Sequence, residues 1–118
     1  MKVIIAGSRD IENKQLLEKT ISDAKIKKGI VITEVVCGLA KGVDILGKIW
    51  GETEHIPIKE FPANWNKYGK VAGMIRNNQM AEYADALIAI CKNRSKGTMH
   101  MINKMKNMNK PVYEAHIN

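Results

Sequence analysis

The sequence predicts an α/β fold: a single-domain, Rossmann-like three-layer sandwich around a mainly parallel sheet of about five strands. Three observations carry that expectation. Two short apolar runs, Val3-Ile4-Ile5-Ala6 and Leu87-Ile88-Ala89-Ile90-Cys91, have the unbroken pattern of strands buried on both faces. Stretches with apolar residues at helical spacing alternate with such runs, which is the rhythm of βαβ units with right-handed crossovers. Glycine stands just beyond two of the strands, at Gly7 and Gly38, where a chain turning sharply into a helix needs it.

The elements follow in order. Lys2 to Ala6 forms the first strand, and after Gly7-Ser8-Arg9-Asp10 a helix begins, capped by Ser8 or Asp10. Leu17, Ile21 and Ala24 mark its buried stripe and Gly29 ends it. Ile30 to Val36 is the second strand. Val43, Leu46, Gly47 and Trp50 repeat at i, i+3, i+4 and i+7 and define the second helix. A short third strand runs from Ile56 to Lys59, and the fourth is Leu87 to Cys91. Ile102, Met105 and Met108 belong to a helix that stops at Asn109-Lys110-Pro111, before a last short strand at Val112-Tyr113. One connection, Phe61 to Gly73, is longer than compact domains ordinarily use without a purpose. Its Phe61, Trp65 and Tyr68 argue against disorder.

A chain of 118 residues fits one core, so residues 1–118 are read as one domain. With 45% hydrophobic and 26% charged residues the composition is that of an ordinary globular protein. No apolar run approaches the roughly 20 residues that span a bilayer. Met1-Lys2 leads into only four apolar residues before Gly7, so no signal peptide is expected. Cys37 and Cys91 have neither metal-ligand spacing nor a disulfide framework, and the scattered His55, His100 and His116 form no metal site. Reduced thiols and a cytoplasmic location are expected. No cofactor is implied.

The formal net charge of +7 favours anionic partners. Lys14, Lys25, Lys27, Lys28, Lys104 and Lys106 fall on solvated helix faces, whereas Lys67, Lys70, Arg76, Lys92, Arg94 and Lys96 lie in two loops expected to converge. In open parallel sheets ligands sit beyond the carboxyl ends of the strands. Four segments meet there: Gly7 to Asp10, Cys37 to Asp44, Phe61 to Asn77, and Lys92 to Thr98.

Each candidate residue has a structural reading beside its functional one. Gly38 and Gly42 either permit a tight strand-to-helix turn or bring amides to a phosphate. Asp44, in the first turn of a helix, either offsets the helix dipole or accepts hydrogen bonds from ribose hydroxyls. Ser8 caps a helix or meets ligand. Arg9 pairs with Asp10 or Asp44, or offers its planar fork to phosphate. Arg76 bridges to Glu82 or Asp85, or takes a phosphate while Asn77 reads sugar or base. Trp65 and Tyr68 pin down the long loop or stack on a base. Thr98, following Gly97, caps a helix, presents hydroxyl and amide to a phosphate, or does both. Met101, Met105 and Met108 pack the core, and Cys37, with no base evident beside it, reads as a small buried hydrophobe.

Four motifs in this order resemble a known family. Gly7-Ser8-Arg9, Cys37-Gly38-Leu39-Ala40-Lys41-Gly42-Val43-Asp44, Phe61-Pro62-Ala63-Asn64-Trp65 and Gly69-Lys70-Val71-Ala72-Gly73-Met74-Ile75-Arg76-Asn77 are similar to the YspA-like branch of the SLOG superfamily. That superfamily also holds the lysine-decarboxylase-like phosphoribohydrolases and the DNA-processing protein DprA. The resemblance runs over essentially the whole chain, through Lys96-Gly97-Thr98 and its helix. It implies a Rossmann-like fold that binds nucleotides or nucleotide-derived ligands; the expected ligand-binding set is Gly7, Ser8, Arg9, Gly38, Lys41, Gly42, Asp44, Tyr68, Arg76, Asn77, Gly97 and Thr98. By analogy with SLOG relatives it also implies a homodimer. The chain departs from the pattern at Cys37, at Met74 and in Lys92 to Lys96, which lacks the usual paired glycines. Where the phosphoribohydrolases carry a glutamate this chain has Met101, which disfavours hydrolysis through that residue. The leading expectation is a nucleotide-binding protein that senses or sequesters its ligand, with the phosphate held by Gly38 to Gly42, Gly97-Thr98 and Arg76. The alternatives are cleavage or transfer at an N-glycosidic bond, with Asp44 or Glu60 as the carboxylate, and single-stranded nucleic-acid binding.

Overall fold

A computed structural model describes residues 1–117. Strands β1 (Lys2–Gly7), β2 (Glu34–Cys37), β3 (Ile58–Glu60), β4 (Ala86–Lys92) and β5 (Val112–Ile117) form one sheet in the order β3-β2-β1-β4-β5. Every pairing is parallel, with Ile4 opposite both Val36 and Leu87 and Ile88 opposite Tyr113. Helices α1 (Lys14–Lys28) and α2 (Val43–Thr53) follow β1 and β2. A one-turn helix α3 (Trp65–Tyr68), a 3₁₀ turn (Gly69–Val71) and α4 (Ala72–Tyr83) lead into β4, and α5 (Lys96–Asn107) joins β4 to β5.

The strand alternation explains the three layers. Ile4, Ala6, Leu87 and Ala89 face one side and pack with Met80 and Ala81 of α4, Ala84 just after it, and Met101, Ile102 and Met105 of α5. Ile5 and Ile90 face the other side with Leu17 and Val43, and Val3 and Ile88 join Ala24 there, so α1 and α2 cover that face. Because β1 and β4 are buried on both faces, their sequences are apolar throughout. Lys110 closes the C-terminal end of α4: its ammonium donates to the carbonyls of Ala81 at 2.6 Å and Ala84 at 2.8 Å. There it satisfies orphan carbonyls and offsets the helix dipole.

Several boundaries differ from expectation for identifiable reasons. Helix α1 is capped by Asn13, whose side chain accepts from the Leu16 amide at 3.0 Å, and not by Ser8 or Asp10. The Ser8 hydroxyl is engaged elsewhere, as described below. Pairing in β2 begins at Glu34; Ile30, although apolar, packs against Val3 and Ala24 from the connection before the strand. The third strand is Ile58–Glu60, displaced from the expected Ile56 to Lys59. The last strand extends to Ile117, past the polar Glu114 and His116, because it is an edge strand with one side open. Helix α4 starts at Ala72, so Gly73 lies inside it.

Candidate functional site

The strand order places β2 on one side of β1 and β4 on the other, so the chain reverses its winding between β1 and β4. The loops leaving those two strands diverge there, which is where open α/β sheets leave a crevice. A cavity of about 450 Å³ lies at that point. One wall is Gly7 to Asp10, from the end of β1; another is Lys92 and Asn93, from the end of β4, continuing through Ser95 to Gly97 and Thr98 of α5. Ala40, in the turn after β2, and Asp44, in the first turn of α2, close it on one side, and Arg76, Asn77 and Met80 close it from α4.

A chain of hydroxyl groups ties two of these walls together. Ser8 Oγ accepts from the Lys92 amide at 2.8 Å, and the Ser8 amide donates to the Ile90 carbonyl at 3.1 Å. Ser8 Oγ lies 3.1 Å from Ser95 Oγ, which in turn donates to Thr98 Oγ1 at 2.9 Å. Thr98 therefore sits in the first turn of α5 and not at its cap; Ser95 takes the cap position without a side-chain cap bond. The first amides of α5 have no intrahelical acceptor by helix geometry, and the first turn carries no acid. Gly97 leaves that end open, since nothing lies within 4 Å of where a Cβ would be. The Lys92 ammonium stands over the rim, paired with Asp10 at 3.1 Å.

On the opposite side Asp44 is 6% exposed and Arg76 9% exposed. Burial pushes the Asp44 carboxyl up to about 6, against the counter-pull of the Arg76 charge, the amides of Gly7 and Ala40, and the Arg9 charge. No side chain hydrogen-bonds or ion-pairs with that carboxylate at close range among the described residues. Arg76 donates through Nη1 to the Gly38 carbonyl and through Nε to Asn77 Oδ1 at 3.0 Å. Among the described residues it makes no bridge to Glu82 or Asp85. The second bond fixes the Asn77 amide so that its NH₂ is left for the cleft.

The remaining expected residues are placed as follows. Arg9 is exposed on the cavity wall and forms no ion pair with Asp10 or Asp44. Gly7 lines the cavity, and its missing Cβ would fall on the Ile90 carbonyl. Gly38, Lys41 and Gly42 do not line it. Gly42, at φ 79°, presses against the backbone of Ser8 and Arg9, and the first amide of α2, on Val43, donates to the Ser8 carbonyl at 3.4 Å. The N-terminal end of α2 is thus closed by the β1 loop, while that of α5 stays open. Tyr68 lines a second hollow of about 210 Å³, separated from the first by Arg76. Cys37 is buried, its thiol pushed up to about 11 by burial and donating to the Asp44 carbonyl at 3.4 Å. Ser95 was not singled out from the sequence, although a serine one residue before Lys96-Gly97-Thr98 has the pattern of a helix cap.

A doubly wound parallel sheet with its crevice between β1 and β4 defines a Rossmann-like α/β domain. Over residues 1–68 the chain matches the YspA, cpYpsA-related SLOG family, and it belongs to that family. It is 29% identical over 119 residues to the Gene 61 protein of Mycobacterium phage D29, a match that covers 94% of this chain and 93% of the phage protein. Its fold is shared with the DNA processing protein A (DprA) of Streptococcus pneumoniae, at a TM-score of 0.75 and 17% identity. That likeness covers 96% of this chain and 49% of DprA, so the chain spans about half of that protein's length.

Proposed function

We propose that the cleft binds a nucleotide or nucleotide-derived molecule, which the protein senses or sequesters in the cytoplasm. The single observation that carries this reading is the pairing of opposite chemistries across one cavity. A buried carboxylate without a side-chain partner, Asp44, faces an open, acid-free helix end furnished with the hydroxyls of Ser95 and Thr98. A phosphate needs the second feature and a ribose diol the first. In this reading Gly97, Thr98, Ser8 and Lys92 hold the phosphate, Asp44 accepts from the ribose, and Arg76 with Asn77 lies alongside. Gly38 and Gly42 act beneath the site, as the turn that lets Arg76 and Asp44 pack. Isothermal titration against nucleoside mono- and diphosphates, ADP-ribose and cyclic nucleotides tests the reading. Micromolar binding to one of them supports it, and folded protein that binds none contradicts it.

The carboxyl of Asp44, raised to about 6, also favours a second reading, cleavage or transfer at an N-glycosidic bond. An oxocarbenium-like transition state calls for a nearby carboxylate, and a group titrating near neutrality serves as acid or base. Chromatographic detection of released base decides this, with Asp44→Asn as control; undiminished turnover in that variant removes Asp44 from the chemistry. Likeness to a DNA processing protein keeps single-stranded nucleic acid as a third reading. Its signature is oligonucleotide retention that falls steeply with salt.

A further inference from the structure

We infer that the hollow on the far side of Arg76 is a second subsite that takes an aromatic base, so that the ligand spans two nucleosides joined through phosphates. This inference rests on the reading of the main cleft as a nucleotide site. Helix α4 shows adjacent stripes to the two depressions: Arg76 and Met80 face the larger, while Ala72, Ile75 and Gln79 line the smaller, with Arg76 common to both. The guanidinium is therefore the partition, and a linker passing from one side to the other crosses it. With Nε and Nη1 held by Asn77 and Gly38, the Nη2 group is the part of this cation left to meet the diphosphate of such a linker.

The chemistry of the smaller hollow is that of a base pocket. Tyr68, 38% exposed, offers an aromatic ring with the Lys67 ammonium over one face, 5.1 Å from the ring centroid, so a base would take the other face. Asn64 spends its side-chain oxygen on the Lys67 amide at 3.0 Å, which leaves its NH₂ as a donor. Gln79 adds a second amide, able to donate and accept, so the lining is mostly polar, with Pro62 and Ile75 at its edge. A stacking face and two side-chain amides are the groups that hold a heterocycle by its face and its edge. At about 210 Å³ the hollow has room for a base but not for a further nucleotide. The long connection after Phe61 thus has a use: it carries Asn64, Lys67 and Tyr68 to the rim of α4.

Isothermal titration with three adenine probes tests the inference. AMP reaches only the main cleft. ADP-ribose adds the diphosphate and second ribose without a second base, and diadenosine diphosphate adds the second base. The expected result is that diadenosine diphosphate binds about tenfold tighter than ADP-ribose, the scale of one stacked base. That advantage disappears in Tyr68→Ala and Gln79→Ala and survives in Tyr68→Phe, while AMP affinity is unchanged in all three. Equal binding of diadenosine diphosphate and ADP-ribose, or an advantage untouched by Tyr68→Ala, overturns the second subsite and leaves the main-cleft reading standing. Binding of none of the three by folded protein overturns both.

Discussion

Asp44 Oδ2 and Arg76 Nη1 converge on one point: they lie 2.9 and 3.1 Å from the position a Cβ of residue 38 would occupy. Gly38 is thus a space reserved for a buried carboxylate and guanidinium, and its carbonyl accepts from that same guanidinium. The conformation of the turn is a lesser reason for the glycine. In Gly38→Ala the methyl group meets the ends of two side chains, which shift. Stability should fall by about 1 kcal/mol, in the range of mild overpacking, while nucleotide affinity falls far more. Gly42→Ala is different in kind, because the added Cβ meets the Ser8 carbonyl oxygen at 2.3 Å and φ is 79°. Strain and a backbone clash together should cost about 3 kcal/mol or more, a large share of a small domain's stability. Urea unfolding of the two variants measures the contrast.

Asp44 should make the fold less stable as pH rises. Its carboxyl titrates at about 6 in the folded protein against an ordinary aspartate value of 3.8, chiefly through burial. The native state therefore holds the proton where the unfolded chain has lost it, and stability declines from pH 4 to pH 6 and stays lower above. A difference of about two pKa units corresponds to about 3 kcal/mol. Relative to wild type, Asp44→Asn should gain stability across that interval, by about that amount between pH 4 and pH 7. Thermal unfolding at several pH values reads the difference. A constant offset contradicts it. Ribose recognition by the ionised carboxylate should weaken below about pH 6, so the same residue sets opposite slopes for stability and binding.

The Ser8 hydroxyl joins the β1 loop to the β4 loop through the Lys92 amide. Ser8→Ala strands that part-buried N–H, and the cost should be about 1–2 kcal/mol. The hydroxyl series through Ser95 to Thr98 also loses its anchor. Amide exchange at Lys92 should then accelerate measurably, whereas exchange in α1 should not change.

Asn93 and Arg94 both adopt φ 52°, and the Ser95 amide donates to the Lys92 carbonyl at 3.3 Å. Consecutive positive φ values closed by such a bond make a turn that favours Asn-Gly at its centre. Arginine at the second position is strained, because glycine alone adopts such a φ without cost. Arg94→Gly should raise stability by about 1 kcal/mol, seen as a higher unfolding midpoint. The same change removes a cation beside the cleft, so phosphate affinity should decline as stability improves.

The sequence made the sheet legible because β1 and β4 are buried on both faces and leave no polar interruption. The same logic hid the ends of β2 and β5. Ile30 is apolar but packs from a connection, and Glu114 and His116 are polar because an edge strand permits it. At the site, Asp44, Ser8 and Thr98 stood out by their place after strands and at helix starts, whereas Arg76, expected to open a helix after Gly73, lies a turn inside α4. Which helix end is open was not legible, since closure of α2 depends on the Ser8 and Arg9 backbone reaching Gly42 across the sheet. Nor was the second hollow, because it joins Asn64 and Tyr68 to Gln79 through the packing of two separate helices.

The central claim is that a nucleotide phosphate sits at the open end of α5 with Asp44 across the cavity from it. Titration of ¹⁵N-labelled protein with AMP, followed by amide chemical shifts, tests it most directly. Saturable shifts are expected at Ser8, Gly97 and Thr98, with little change at Lys41 and in α1. Shifts centred on Gly38 to Gly42 without Gly97 and Thr98, or no saturable shift at all, would contradict it.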